Sequence, residues 1–593
     1  MLVSALVLVA ALTVALLHES SARAAGPTVS VFPVPGARVA APQTQITFRG
    51  VPATALAGQV TVTGSVSGVH SGQIEADSDG NGGSFIPTQL FTPGETVTVN
   101  TGFGILGTGS ASTGLSNSYT FTVAHPAGPF PDLHWPPARR VSGDIQRFHS
   151  RPDLQPVNVI VTRRGGAQSG DIFIAPQSGP VQDGPMILDP NGNLVWFDRM
   201  QGNNSVTDFR VQTYQGQPVL TWWEGHVVAG VGIGQDVIFN SAYKQIAVVK
   251  AGNGLSSDLH EFQLTPQGTA LVTAAYPVYW DTSSVHGSHH QIVIDSVVQE
   301  IDIATGLVLF QWDSLDHLPL SDTYAPPPPH STTPYDPFHI NSIDLDHDGN
   351  LLISARNTWG IYKVNHQTGQ IIWALGGKHS SFKLAPGTYW AFQHDARIRA
   401  HNDQYITLFD DSAGPPKVHS QSRAIKLELD LVHMTAKMVS AHAHSPSVSA
   451  NFEGNYQQMT DGDDFVGWGQ QPYFSEYDRH GNQVFDAHLI DWNSIYRAYR
   501  FVWNAVPWTL PAVVANRSSH GKIVVYASWN GATGVASWRV LGGSSRTSLK
   551  TLATWRKRSF ETAMTVPGAS YVEVQALDGS GRVIKTSSVV GVH

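Results

Sequence analysis

Apolar and polar residues alternate one by one through both ends of this chain, where hardly anywhere do apolar residues recur at helical spacing. Stretches such as GQVTVTG, ETVTVNTG and NSYTFTVAH, between Thr28 and Ala124, put apolar side chains on one face of short strands divided by Gly, Ser and Pro. The pattern predicts a small β-sandwich over residues 26–125. From 510 to 593 the alternation returns in GKIVVYASWNG, VASWRVLGG and SYVEVQALDGSGRVIKTSSVV. The spacing of Trp and Tyr there predicts a fibronectin/Ig-like β-sandwich module. The Pro-rich HPAGPFPDLHWPPARR (125–140) reads as a strap between the first unit and the next.

Residues 141–509 carry an imperfect repeat. ILDPNGNLVWFD (187–198), EIDIATGLVLFQWD (300–313), KVNHQTGQIIWALG (363–376) and EYDRHGNQVFDAHL (476–489) share an apolar strand, a Gly-containing turn and an aromatic strand. A second hairpin type lies between them: LHEFQLTPQGTALVTA (259–274), HINSIDLDHDGNLLISA (339–355) and HDARIRAHNDQYITLFD (394–410). Two hairpins alternating at about 50 to 90 residues per unit make a four-stranded propeller blade, which buries its faces only by stacking on its neighbours. The expected fold is all-β: a central β-propeller of about six blades between two β-sandwiches.

Composition narrows the function classes. Charged residues make up 14% of the chain and the formal net charge is −9, with WRKRS (555–559) as the one short basic run. Nucleic-acid partners and anionic membranes are therefore not expected, because both are bound by clustered Lys and Arg. The absence of cysteine excludes disulfides, thiolate metal sites and cysteine nucleophiles. An apolar run from Leu2 to Leu17 followed by Ala22-Arg23-Ala24 predicts a signal peptide over residues 1–24 and a secreted or cell-surface protein. A missing basic n-region leaves an uncleaved anchor as the alternative.

The chemistry concentrates in the second hairpin type, whose first strand repeatedly begins with histidine: His260, His339 and His394. Equivalent positions of successive blades face one central channel, so these imidazoles are expected to converge. In FHINSIDLDHDGNLLISARN (338–357), a four-residue turn at Asp346–Gly349 would pair Leu345 with Asn350, Ile343 with Leu352, Asn341 with Ser354 and His339 with Arg356. His339, Asn341 and Arg356 would then share one face, a donor set suited to a tetrahedral oxyanion. Asp344, Asp346 and Asp348 have the spacing of a calcium loop, but Ala355 stands where its bidentate Glu belongs. Three imidazoles also suit zinc, although an arginine beside them would repel a cation and favours an anion site. HGSHHQ (286–291) and AHAHSP (441–446) read as solvated loops.

FHINSID and LLISARN (within 338–357), YWAFQHDARI (389–398), HEFQLTPQG (260–268), and VGWGQQPYFSEYD with SIYRAYRFVW (within 466–503) resemble the arylsulfate sulfotransferases, or arylsulfotransferases. The resemblance covers about 141–509. It implies an enzyme of the EC 2.8.2 type that needs no nucleotide cofactor and moves a sulfuryl group from an aryl sulfate to a phenol. It further implies that His394 is the nucleophile, passing through a sulfohistidine, and that His260, His339, Asn341 and Arg356 hold sulfate oxygens. Gln393-His394-Asp395 departs from the QHT of the enterobacterial form, which has a cysteine pair absent here and lacks the C-terminal module. The pattern is closer to the actinobacterial and fungal branch.

The residue chemistry runs in the same direction. Prearranged donors hold the charge on a sulfate ester, a neutral imidazole attacks without first losing a proton, and His260 or His339 is expected to serve as acid and base for the phenols. Tyr389, Trp390 and Phe392 would stack on the aryl ring or fill the blade core. Asp395 would orient an imidazole or sit in a turn. Two other readings stay open: a metal-dependent hydrolase or oxidoreductase using the same histidines, and a non-catalytic cell-surface binding propeller.

Overall fold

The structure, a computed structural model, describes residues 29–106, 115–128, 144–165, 170–179, 182–202, 204–228, 230–399, 404–490 and 493–593. The expected signal peptide at 1–24 and most of the Pro-rich strap lie outside the described residues. Among the described residues, no helix is long and apolar enough to cross a membrane.

The alternating segments fold as antiparallel strands. Among the described residues between Val159 and Phe501 these fall into six groups, whose first strands are Asp171–Ile174, Ser205–Tyr214, Ser257–Leu264, Ile340–Leu345, His394–Ile398 and Asn455–Gln458. Each first strand packs against the next, so the six stand side by side in chain order. The second and third groups are joined into one sheet by the Gly234–Ser257 bridge. Closure uses both ends of the domain. Tyr499–Phe501 pairs with Asp171–Ile174 in the first group, and Val159–Arg163 pairs with Gln483–Leu489 in the sixth. Interlocked termini leave no open seam in a propeller ring.

Apolar cores fill the gaps between neighbouring sheets: Phe209 and Trp222 against Ile187 and Tyr499, Leu352 and Ile361 against Ile406 and Leu408, Phe409 against Tyr456 and Trp468, and Phe465 and Phe474 against Ile172 and Leu188. Every sheet is thus covered on both faces, which explains why its strands carry apolar runs rather than strict alternation.

Two flanking units are bonded onto this ring. The N-terminal unit has two four-stranded sheets, one holding Ile46–Arg49 and the other Thr96–Leu106, closed over Phe48, Phe91 and Phe121. Its Thr47 hydroxyl donates to the Val308 carbonyl at 2.6 Å. The C-terminal unit stacks a sheet ordered Ala512–Arg517, Lys522–Ser528, Glu561–Pro567 on one ordered Ser548–Arg556, Ser537–Ser545, Tyr571–Leu577, Val583–Thr586, around Trp538. Asn530 Nδ2 donates to the Phe197 carbonyl at 2.9 Å.

At the N-terminal joint, His317 stacks on Trp312 with ring centroids 4.8 Å apart, next to the Arg38–Asp316 pair. Burial, assisted by Arg38, lowers its pKa from 6.5 to about 4. In the unfolded chain His317 takes up its proton near ~6.5, so its contribution is complete above that pH and is lost as the pH falls toward the folded value. Relative to His317→Gln, the wild type is expected to lose up to about 1.4 kcal/mol per pH unit in that window. Urea unfolding of both proteins from pH 7.5 to 4.5 checks this, and parallel profiles would contradict it.

The hairpin at 339–356 differs from its expected register. Leu345 pairs with Leu351, Ile343 with Ile353 and Ser342 with Ser354, one step from the predicted pairs. The turn takes in Asp346 to Asn350, with Gly349 at φ 80°, a left-handed conformation that only Gly adopts freely. A bulge between Ile340 and Ser342 restores the register, so Ile340 faces Ala355 and the Arg356 N–H donates to the His339 carbonyl at 2.9 Å. Asn341, the bulged residue, turns toward the next sheet rather than sharing a face with His339. The turn aspartates are not arranged as calcium ligands: Asp346 and Asp348 both pair with the Lys363 ammonium.

Candidate active site

His260 lies in Ser257–Leu264, His339 immediately precedes Ile340–Leu345, and His394 opens His394–Ile398, so three adjacent first strands bring them to one end of the ring. The His260 and His339 rings meet edge to face with centroids 4.6 Å apart. Each imidazole turns Nδ1 to a carboxylate: His260 to Asp258, His339 to Asp336 at 2.5 Å, and His394 to Asp411 at 2.6 Å. A carboxylate that accepts from Nδ1–H leaves the lone pair on Nε2. At His394 that nitrogen accepts the Glu453 N–H at 3.3 Å.

Burial, and then the charges of Arg356, His339 and His260, hold the His394 imidazolium well below its ordinary range, so the ring is neutral. Burial also lowers His260, with Asp258 opposing. The Asp411 carboxyl is pushed well up by burial, against the pull of Arg356.

Arg356 sits not on the strand but in the 3-10 turn Arg356–Thr358 that follows it. Its guanidinium lies 4.8 Å over the Phe392 ring and donates to Asn357 Oδ1 at 2.9 Å and to the Asn451 carbonyl at 2.7 Å. Asn341 is enclosed. Its Nδ2 donates to the Gln393 carbonyl at 2.7 Å, while its Oδ1 has no hydrogen-bond partner. Gln393 Nε2 in turn donates to Ser354 Oγ at 3.0 Å and to the Gly360 carbonyl at 3.0 Å. Asn341 therefore fixes the residue before His394 from behind.

The three aromatic candidates separate. Tyr389 is 48% exposed and faces His419, whereas Trp390 is buried in a core cluster and donates its indole N–H to the Trp359 carbonyl at 3.1 Å. Phe392, at φ 57°, stands edge-on to Trp359, which stacks on Tyr324 at 3.6 Å.

Beneath the histidines the channel is closed by ion pairs. Arg497 bonds Asp208 at 2.8 Å and Glu261 at 3.2 Å, and Arg397 bonds Glu261 at 2.6 Å and Asp395 at 2.8 Å. Asp395 is thereby committed to Arg397 and to the Tyr456 N–H, and orients no imidazole. The Tyr496 hydroxyl donates to the His260 carbonyl at 2.9 Å and to the Asn341 carbonyl at 3.3 Å, tying two first strands together at the height of the histidines.

Residues 210–489 match the model of the arylsulfotransferase (ASST) family. Over that stretch the central domain is similar to the arylsulfotransferase family. Among solved structures, a Bacteroides caccae protein of unknown function is 12% identical, with 56% of this chain and 99% of that one covered at a TM-score of 0.35. A GH43 protein from Bacillus licheniformis is 9% identical (65% and 88% covered, TM-score 0.28), and a periplasmic gluconolactonase from Pseudomonas aeruginosa is 13% identical (65% and 97%, TM-score 0.23). No curated protein matches the chain.

All eight residues singled out from the sequence fall within the stretch that matches the arylsulfotransferase model, as do Asp258, Asp336, Asp411 and Glu453, which sequence reading missed. Two of the missed carboxylates have a local signal, since Asp258 and Asp336 stand two and three residues before their histidines. Asp411 lies two residues beyond Phe409, the ladder partner of His394. In the central domain no three His, Asp or Glu side chains among the described residues are grouped closely enough to hold a metal ion. His442 and His444, read as solvated, are buried and paired with Asp464 at 2.8 Å and Asp486 at 3.0 Å. Polar strand faces of adjacent blades meet there, which the local sequence does not reveal.

Proposed function

We propose that the central domain moves a sulfuryl group from an aryl sulfate to a phenolic acceptor through a sulfohistidine at His394. The observation that carries the reading is the state of that imidazole: neutral, with Nδ1–H on Asp411 and the Nε2 lone pair held by the Glu453 N–H alone. Nε2 forms a bond to sulfur as the sulfur–aryl oxygen bond breaks, releasing a phenolate and leaving an N-sulfo imidazolium opposite the Asp411 carboxylate. An acceptor phenol then attacks sulfur, the N–S bond breaks, and the imidazole is restored as the acceptor loses its proton.

The donors that hold sulfuryl oxygens are Arg356 and, as an imidazolium that gives Nδ1–H to Asp336 and Nε2–H to the sulfuryl group, His339, with His260 behind it. On binding, Arg356 exchanges the Asn451 carbonyl for a sulfate oxygen. The Glu453 N–H, 3.3 Å from Nε2, turns from the nitrogen lone pair to another. Preorganised donors of this kind supply charge stabilisation without reorganisation during the reaction. Asn341 acts as a positioning residue through Gln393, and the ring site is formed by Phe392 and Trp359, with Tyr324 stacked on Trp359.

With 4-nitrophenyl sulfate as donor, nitrophenol release is expected to depend on added phenol and to yield phenyl sulfate. Release without phenol would make the protein a sulfatase, and no release would remove the reading. The chain is also read as exported, on the strength of its first 24 residues; the mass of the protein recovered from the medium or the envelope distinguishes cleavage from anchoring.

A further inference from the structure

The segment that crosses the site carries one ionisable group with no role in the scheme above. Asn451 accepts from Arg356, Glu453 donates its N–H to His394 Nε2, and the Gly454 N–H donates to the Tyr496 carbonyl at 3.0 Å. Glu453 is held at φ 70°, a left-handed conformation unfavourable for a residue with a side chain, and Gly454 follows at φ 103°. Three hydrogen bonds thus hold a strained residue against the nucleophilic nitrogen. Its carboxyl is enclosed: Oε2 is cut off from solvent and accepts no hydrogen bond. The Asp411 carboxyl, at Nδ1 of the same imidazole, is near enough for each carboxyl to oppose ionisation of the other.

Phenol release needs a proton donor. A departing phenolate derived from an ordinary phenol, with a pKa of ~10, is a poor leaving group without one. The imidazoles are poorly suited, since His394 is the nucleophile and burial keeps His260 neutral. Burial raises the Glu453 carboxyl to about 8, so that at neutral pH it carries its proton. Asp411 meets the imidazole at Nδ1 and the Glu453 backbone meets it at Nε2, so of the two residues Glu453 is the one on the side of the reacting nitrogen.

Building on the transfer reading, we infer that Glu453 is the general acid and base of the reaction, serving the oxygen of the departing and then of the incoming phenol. In the first half the Glu453 O–H proton passes to the aryl oxygen as its bond to sulfur breaks and the Nε2–sulfur bond forms. The products are a phenol, a carboxylate and the N-sulfo imidazolium. In the second half that carboxylate takes the acceptor's proton as its oxygen bonds to sulfur and the N–S bond breaks. The proton count closes over one cycle, with no co-reactant. His260 and His339, either of which the sequence suggests for this task, stay on the sulfate side.

The test exploits leaving-group ability. Wild type, Glu453→Gln and Glu453→Asp are compared with 4-nitrophenyl sulfate, whose phenolate departs unaided, and with phenyl sulfate, whose phenolate does not, reading the burst of phenol release in a single turnover. Glu453→Gln is expected to lose about 10²-fold or more on phenyl sulfate and less than about 10-fold on 4-nitrophenyl sulfate, with Glu453→Asp between wild type and Gln on phenyl sulfate. Equal losses on both esters would mean that the residue only shapes the loop, and unchanged rates on both would mean that it is idle; either result overturns the assignment. A wild type inert toward both esters would instead overturn the sulfuryl-transfer reading on which the assignment rests.

Discussion

Replacing His394 by alanine is expected to lower sulfuryl transfer by about 10⁴-fold or more, since the group proposed to form the bond to sulfur is then gone and no neighbouring imidazole can take its position. His260 and His339 are turned to their own carboxylates across a 4.6 Å ring contact. The fold should tolerate the change. Asp411 loses its partner, and with the Nδ1–H gone burial favours uptake of a proton by its carboxyl, so no uncompensated charge is left inside. The measurement is covalent labelling with aryl [³⁵S]sulfate: the wild type acquires acid-labile label on the peptide containing His394, and the variant acquires none while keeping a wild-type circular dichroism spectrum. Label retained in the variant would move the nucleophile elsewhere.

The second large effect is on stability. Arg497→Met is expected to cost about 3–5 kcal/mol, because the carboxylates of Asp208 and Glu261 would remain buried without the guanidinium that faces both. All three side chains are fully enclosed, with Arg497 at 2.8 Å from Asp208 and 3.2 Å from Glu261. Arg397 and Arg210 also reach Glu261, which limits the loss there, while Asp208 depends more heavily on Arg497. The solvent-facing Arg151–Asp153 pair, at a similar 2.7 Å, should contribute no more than ~1 kcal/mol. Urea unfolding of Arg497→Met beside Arg151→Met reads both, and comparable midpoints would show that the channel network adds nothing to the ring. The same network supports the site, since the Asn341 carbonyl accepts from Arg497 at 2.8 Å.

The parts of this protein that were legible in the chain are those set by local pattern. Period-two alternation and Gly-bearing turns foretold strands, and the recurrence of hairpins foretold stacked sheets, because a strand's apolar face must be covered by a neighbour. The histidines at equivalent strand starts follow from that repetition, as does the meeting of His339 with Arg356 at the inner end of one hairpin. The register between them did not follow. A turn one residue longer than expected and a bulge at Asn341 cancel each other, and neither leaves a mark in the apolar pattern.

Sequence alone determined the class of fold, the candidate histidines and arginine, and the resemblance to arylsulfotransferases that the family model matches over residues 210–489. Tertiary structure decided which polar groups do what. Asp411, Asp336 and Asp258 became imidazole partners, Asp395 was diverted to Arg397, Asn341 was turned onto Gln393, and Trp390 was absorbed into the core. It also brought Glu453 across from another blade to His394. The reason is the range of the forces involved. Strand formation depends on residues one and two apart, whereas burial, charge pairing and hydrogen bonding depend on which blades stand side by side, and for His394 and Glu453 that means residues 59 apart in the chain.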